Sequence, residues 1–271
     1  MRELSDLEEI DELAGDDLLC RWAAQRLNGD GRAWATDDGR AVAVAAPRLA
    51  TRDRLVVHGS RAAATALVGL ALAEVGPTFR PIGDRELIGA IAEMIELPGG
   101  RSLTTVADFG WMERTEPLAD EVSAARWLSD SDADDIAALL DVAAARSDAR
   151  PGDPDVDGWA GIRTTGDDRP GDDHDDHGDD RGGDQGRLVA VAALAWSAPT
   201  VGYLCGVAVH PDVRGRGLAT QVCRLVADEA ITTRGAVGLM VEDDNQAAIA
   251  VYRKLGLSHR PLAAAFVQDQ L

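Results

Sequence analysis

At 271 residues and 45% hydrophobic content, the chain is long enough to bury two ordinary cores, so two domains are expected. The formal net charge of −20, with no basic stripe, excludes a general nucleic-acid binder, which needs clustered cations against the phosphate backbone. Cys20, Cys205 and Cys223 show no paired spacing, which excludes a disulfide framework.

The start, "MRELSDLEEI", is acidic where a secretory signal is basic and then apolar, so a cytoplasmic protein is expected. Leu18, Leu19, Trp22, Ala23 and Leu27 lie on one helical face. "RAWAT" and "AVAVAA" read as strands, and "RLVVHG" leads into a helix from Ser60 to Glu74. The small-apolar stretch 62–73 within it is well short of the roughly 20 residues of a membrane span, so no membrane partner is expected. A further helix covers about residues 84–96. "ARWL" then reads as a strand. Ser131 and Asp134 form a capping-box start for a helix that turns Ile136, Leu139, Leu140 and Ala143 inward.

"GWAGIRT" and "LVAVAALAW" follow as strands, separated by an acidic tract at about 166–186 that has no apolar period. That composition predicts a solvated hairpin loop. Asp173, Asp175, His177, Gly178 and Asp184 fall near calcium-loop positions, but the closing glutamate and the flanking helices are missing, so no metal site is predicted.

"GRAVAVAA" at 39–46 returns as "GRLVAVAA" at 186–193, each time followed by a second apolar strand and an Ala-rich helix. Sliding one helix over the other pairs Ala64 and Thr65 with Ala219 and Thr220, Leu70 with Leu225, and Glu74 with Glu229. Two related α/β halves follow, one over 1–118 and one over 119–271.

Within the second half, the strand "VGYLCGVAVHP" leaves through Pro211 and Asp212 into a helix whose Leu218, Val222, Leu225 and Val226 recur at helical spacing. Gly215 and Gly217 therefore stand at a helix N-terminus. There the first N–H groups lack intrahelical acceptors and the macrodipole favours an anion. Arg214 and Arg216 add local charge, and at a screening length of about 8 Å the distant carboxylates count for little. A P-loop would need Gly-Lys-Ser/Thr, which is absent. A dinucleotide fold would want a glycine where Thr220 stands, with Glu242 or Asp243 as its ribose acid. An ordinary strand-turn-helix is the third reading.

The segment "GLMVEDDNQAAIAVYRKLGL", 238–257, ends a strand at an acidic turn, starts a helix at Asn245, and repeats Ile249, Tyr252 and Leu255 on one face before Gly256. Here the sequence resembles the GNAT superfamily of acyl-CoA-dependent N-acyltransferases. Arg214, Gly217 and Ala219 meet its Arg/Gln-x-x-Gly-x-Gly/Ala signature, and Asn245, Tyr252, Leu255 and Gly256 meet its second. The resemblance covers residues 120–271 directly and 1–118 only through the internal echo.

The resemblance implies an α/β (α+β) fold of two tandem acyl-CoA N-acyltransferase-like domains, each a mixed, mostly antiparallel twisted sheet flanked by helices. The strand through Val207 and Val209 should part from the strand through Met240 to admit acetyl-CoA, the acyl-donor substrate. Val207, Ala208 and Val209 would pair with its pantetheine arm. Gly215, Arg216, Gly217, Leu218, Ala219 and Thr220, with Arg214 and Asn245, would complete the donor site. The resemblance also implies Tyr252 as proton donor to the leaving thiolate and an N–H near Val209 for the oxyanion.

Some members carry a glutamate where this chain has Met240. Glu242, two residues on and on the same strand face, is the candidate base, while His210 is read as a turn residue. The first half has Gly59 and Ala62 where the second has Arg214 and Gly217, so it is expected to bind no CoA and to complete the acceptor cleft or pack against its twin. Trp34, Trp111 and Trp127 are candidates for that interface.

The expected function is acetyl transfer to a primary amine of a small molecule or peptide by direct attack in a ternary complex. The acidic composition leans toward a cationic acceptor. The alternative is a catalytically inactive CoA-binding regulatory or interaction module.

Overall fold

A computed structural model describes residues 1–119, 121–164 and 186–268, without the side chains of 106–108. The acidic tract and its calcium-like positions lie outside the described residues.

The first half runs β1 (Arg2–Leu4), α1 (Leu7–Ala14), α2 (Leu18–Ala23), β2 (Arg32–Ala35), β3 (Ala41–Leu49), β4 (Arg52–Gly59), α3 (Arg61–Val75), β5 (Arg80–Asp84), α4 (Arg85–Met94) and β6 (Ser102–Arg114). The second runs β7 (Arg126–Trp127), α5 (Ala133–Ala143), β8 (Val156–Arg163), β9 (Leu188–Ala195), β10 (Gly202–Val209), α6 (Leu218–Arg234), β11 (Val237–Glu242), α7 (Gln246–Lys254) and β12 (Ser258–Gln268). Apart from the extra N-terminal helix, the two series repeat one order, and the echoed octapeptides fall on β3 and β9.

Both series join one twelve-stranded sheet in the order β1-β2-β3-β4-β5-β12-β6-β11-β10-β9-β8-β7. Among the described residues, β4 with β5 and β10 with β11 pair in parallel and the other neighbours antiparallel. Each parallel pair is joined by a crossover helix, α3 or α6, as parallel neighbours require. The last strand of each half is exchanged: β6 pairs with β11 of the second half, and β12 pairs with β5 of the first. β6 and β12 also pair with each other, from Ser258 opposite Glu113 to Gln268 opposite Ser102. The halves are therefore interlaced through their backbone ladders.

Helix ends follow the local chemistry. Gly217, at φ +77°, caps the start of α6 and Gly235, at φ +87°, ends it. The buried face of α6 carries Val222, Cys223, Val226, Ala227, Ala230 and Ile231; Leu218 and Leu225, expected inward, are half-buried. The capping box before α5 is Ser129 with Asp132, not Ser131 with Asp134. It heads a short 3-10 turn, so α5 starts later, at Ala133, with Ile136, Leu139 and Leu140 buried as its period requires.

An aromatic cluster joins the halves. The Trp22 ring on α2 stacks on Tyr203 of β10 at 4.5 Å between centroids and lies 5.6 Å from Trp111 of β6. The Trp22 indole N–H donates to the Trp196 carbonyl at 2.8 Å, which satisfies the one polar group this buried ring carries. Of the tryptophans proposed for the seam, Trp111 belongs to this core cluster, Trp34 is buried with the first half's own helices, and Trp127 is 37% exposed.

Gly238 of β11 faces the Trp111 indole so closely that a Cβ would lie 2.3 Å from the ring. Gly238→Ala is expected to destabilise the fold by about 1–3 kcal/mol through overpacking. The check is a lowered urea midpoint; an unchanged midpoint would show that β6 is not seated on β11 in this register.

Candidate functional site

The site begins where β10 leaves β11. Their parallel pairing is confined to Gly202 with Val237 and Tyr203 with Gly238, although β10 continues to Val209 and β11 to Glu242. The cause lies in β10 itself. Its pairing with β9 slips by one residue between Cys205 and Ala208, where Gly206 takes φ +60°. A Cβ on Gly206 would stand 2.7 Å from the Trp159 ring, so both backbone angle and space demand glycine. Such a bulge bends the strand that carries it, here away from β11.

Beyond the bulge, the His210 N–H donates to the Val189 carbonyl at 2.8 Å. By the alternation of strand hydrogen bonding, the N–H groups of Val207 and Val209 then point the other way, into the gap. The Val209 carbonyl on that side accepts from Arg214 Nε at 3.2 Å. His210 is a buried turn residue whose side chain takes the Asp212 N–H and contacts Arg187.

Gly215 and Gly217 have φ of +79° and +77°, with open space where a Cβ would stand. Conformation, not crowding, selects glycine at both. The first backbone bond of the turn runs from the Gln221 N–H to the Gly217 carbonyl at 3.3 Å. The N–H groups of Leu218, Ala219 and Thr220 thus precede the intrahelical ladder. Asn245 caps α7 by accepting the Ala248 N–H at 3.2 Å.

A groove of about 550 Å³ runs through these parts. Val207, Ala208, Val209, Arg214, Gly215, Gly217, Leu218, Ala219, Thr220, Asn245 and Tyr252 all line it, together with Ala143, Val213 and Val251, which the sequence reading did not select. Arg216 is not among its walls. On the other side of the sheet seam lies a chamber of about 530 Å³. Its walls come from β4 and β5 of the first half, β6 and β12, and β10, β11 and α7 of the second; Glu242 stands there and not in the groove. Only Val207 and Tyr252 line both spaces.

Tyr252 is 6% exposed, and burial holds its phenol well above the usual tyrosine range. It is therefore a neutral O–H at working pH, placed at the junction of the two spaces. Tyr203, buried in the aromatic cluster, is pushed up by the same desolvation, with Arg54 opposing.

The sequence reading overlooked Arg52, Arg54 and Arg80, which line the chamber. The signal was present in "TRDRL": residues two apart on a strand share a face.

This geometry has relatives. The model of the acetyltransferase (GNAT) family matches residues 161–257. A GCN5-related N-acetyltransferase from Kribbella flavida is 21% identical, with a TM-score of 0.56 over 93% of this chain and 95% of that one. A Drosophila protein is 14% identical, with a TM-score of 0.55 over 99% of each chain. A GCN5-related N-acetyltransferase from Sphaerobacter thermophilus is 17% identical, with a TM-score of 0.53 over 95% of this chain and 88% of that one. No curated protein matches the sequence. Residues 161–257 are thus similar to the GNAT acetyltransferase domain, and the likeness of fold extends over the N-terminal half. Acyl transfer is the general chemistry of that family. Among the described residues no helix is long and apolar enough to cross a membrane.

Tyr203 and Tyr252 are the two tyrosines of the chain, and both phenols are raised by burial. Their contribution to stability is present below the unfolded tyrosine pKa of about 10 and is lost as pH rises above it. Spectrophotometric titration of the native protein is expected to show no phenolate step near pH 10, and that of the urea-unfolded protein to show both. A native step near 10 would place a phenol in water.

Proposed function

We propose that the protein is an acyl-CoA-dependent N-acetyltransferase, moving an acetyl group from acetyl-CoA to a primary amine by direct attack in a ternary complex. The observation that carries this reading is the shared wall: a groove suited to the donor and a chamber suited to an acceptor touch at Val207 and Tyr252.

The residues fit the donor. The inward N–H groups of Val207 and Val209, with the backbone of Ala208, suit an extended pantetheine arm as an added strand would be suited. The N–H groups from Gly215 to Thr220 and the Arg214 charge suit the pyrophosphate. Asn245 shapes the wall by capping α7. In this reading residues 119–271 form the catalytic domain, and 1–118 a related domain without a donor loop that supplies chamber walls.

The chemistry follows from placement. An amine entering from the chamber attacks the thioester carbonyl, forming the C–N bond as the C–S bond breaks. A backbone N–H near Val209 that the pantetheine arm leaves free would stabilise the charge gathering on the carbonyl oxygen, a contribution of about 3 kcal/mol for a preorganised donor. Tyr252 delivers its phenolic proton to the departing sulfur; burial keeps that proton in place, while the raised pKa makes the phenol a weaker acid than in water. Glu242, at the exposed end of β11, accepts the proton of the attacking nitrogen directly or through water.

Met240 stands where some relatives have a glutamate, which leaves an inactive CoA-binding module as the competing reading. Release of free thiol from acetyl-CoA across a panel of amines separates the two. Tyr252→Phe is expected to lower kcat by about 10²- to 10⁴-fold with the KM for acetyl-CoA little changed. Glu242→Gln is expected to lower kcat with the KM for acetyl-CoA little changed. CoA binding without thiol release from any amine would establish the module instead.

A further inference from the structure

The chamber wall is opposite in sign to the chain. A protein of net charge −20 places Arg52, Arg54 and Arg80 in this one space, against Asp148 and Glu242. Arg52 is 4.0 Å from Asp148. Arg80 is exposed and makes no ion pair among the described residues.

Arg54 is the informative member. Its Nε donates to the Leu49 carbonyl at 2.9 Å, one terminal nitrogen lies 3.7 Å from Met240 Sδ, and the guanidinium sits 5.6 Å from the Trp22 ring centroid. No carboxylate among the described residues pairs with it. Burial is the main cause that lowers its pKa; Tyr203 and Asp148 oppose, and the Arg52 and Arg80 charges add to the lowering. A guanidinium does not discharge in proteins, so Arg54 remains a cation drawn out of water beside two others. Such a group is costly without a counter-ion.

Distance ties this cation to the reacting end. Met240 and Glu242 share a face of β11 two residues apart, about 7 Å along a strand. The Arg54 guanidinium, in contact with Met240, is therefore within a small molecule's length of Glu242. A chamber of about 530 Å³ also has the size of a small-molecule site.

We infer that the acceptor is a small amine that also carries an anionic group, a carboxylate or a phosphate, held by Arg54 with Arg80 while its amine faces Glu242 and Tyr252. The leaning toward a cationic acceptor drawn from the whole-chain charge is reversed by the local wall. The forked donors of arginine match both oxyanions. This inference rests on the acyl-transfer reading for the amine's position, but not for the anion's.

The test has two arms. In the first, calorimetry on the full chain measures equilibrium binding of matched pairs: amino acids against their amides, and phosphoethanolamine against ethanolamine, with spermidine as the cationic contrast. The anionic member of at least one pair is expected to bind about 10- to 100-fold more tightly, as a charge-assisted hydrogen bond predicts, and the pair that responds distinguishes carboxylate from phosphate. Arg54→Gln is expected to remove that preference. Arg80→Gln, at an exposed position where folding is not at risk, is expected to reduce it. Equal binding within every pair, tighter binding of spermidine, or a preference untouched in Arg80→Gln and in a folded Arg54→Gln would overturn the inference.

The second arm repeats the panel in the thiol-release assay, where Arg54→Gln is expected to raise the acceptor KM with little change in kcat. CoA binding is measured alongside. Anion-dependent binding without turnover would support the anion site while defeating acyl transfer. Turnover of neutral amines alone would do the reverse.

Discussion

The parting of β10 from β11 after two paired residues is the constraint on which the site depends. Strands left unpaired expose N–H and C=O groups that must be satisfied, and a buried unpaired group costs about 1–3 kcal/mol. Where ladders continue, as between β6 and β12, a neighbouring strand meets that demand. Here β10 runs for six residues beyond its last pairing with β11, and the gap presents backbone donors to whatever enters. Gly206 creates the gap; Gly215 and Gly217 turn the chain so that the next helix begins at its mouth. Three glycines, each at positive φ, thus set the geometry of the groove, and the side chains around them add charge and shape.

The exchange of β6 and β12 gives the other half of the site its walls. Were each half to keep its own last strand, the two sheets would meet only through side chains. As it is, Phe109 of β6 and Ala264 of β12 line the chamber beside Arg54 of β4 and Met240 of β11. The aromatic cluster of Trp22, Trp111 and Tyr203 packs from both halves under the same seam. A space walled in this way cannot be assigned to either half, which is why reading the second half alone finds the groove but not the chamber.

What the sequence made legible follows from how local each signal was. Gly215 and Gly217 and the Asn245-to-Tyr252 helix belong to short motifs whose geometry is set within a dozen residues, and all but Arg216 of the proposed donor-site residues line one groove. The echo between residues 39–46 and 186–193 was enough to reveal two related halves. The strands β5, β6 and β12 were not read. Pro81 and Pro261 interrupt two of them, and "LAAAFVQ" in β12 is too rich in alanine to declare a strand period. Their pairing is long-range, so nothing near them in the chain signals the exchange. The three arginines of the chamber were missed for a related reason. Overall charge conceals local charge, and only the fold brings Arg54 and Met240, 186 positions apart, into contact.

The first half shows what happens when the same design lacks the bulge. The echo that sets 39–46 against 186–193 matches Val44 with Val191; Val44 pairs with Val56 and Val191 with Ala208, so the bulged residues Gly206 and Val207 fall where β4 has the single residue Leu55 opposite Ala45. β4 carries no extra residue there: Leu55 stays in register between Ala45 and Pro81, and Val56 between Val44 and Ile82. The pairing of β4 with β5 therefore continues through Arg54, Leu55 and Val56, and at Gly83 the strands remain so close that a Cβ would meet the Val57 carbonyl at 2.5 Å. What remains of the cleft is crossed by the chain's own charges: Arg260 of β12 donates to Asp17 at 2.5 Å, with His58 at 3.6 Å from the same carboxylate. The backbone that the second half offers to a ligand is, in the first, already paired or walled by an ion network. The bulge at Gly206 and the ion network beside β4 together distinguish the two series: β10 bends away from β11 after two paired residues, whereas β4 holds β5 for three and the space beyond is walled by charge.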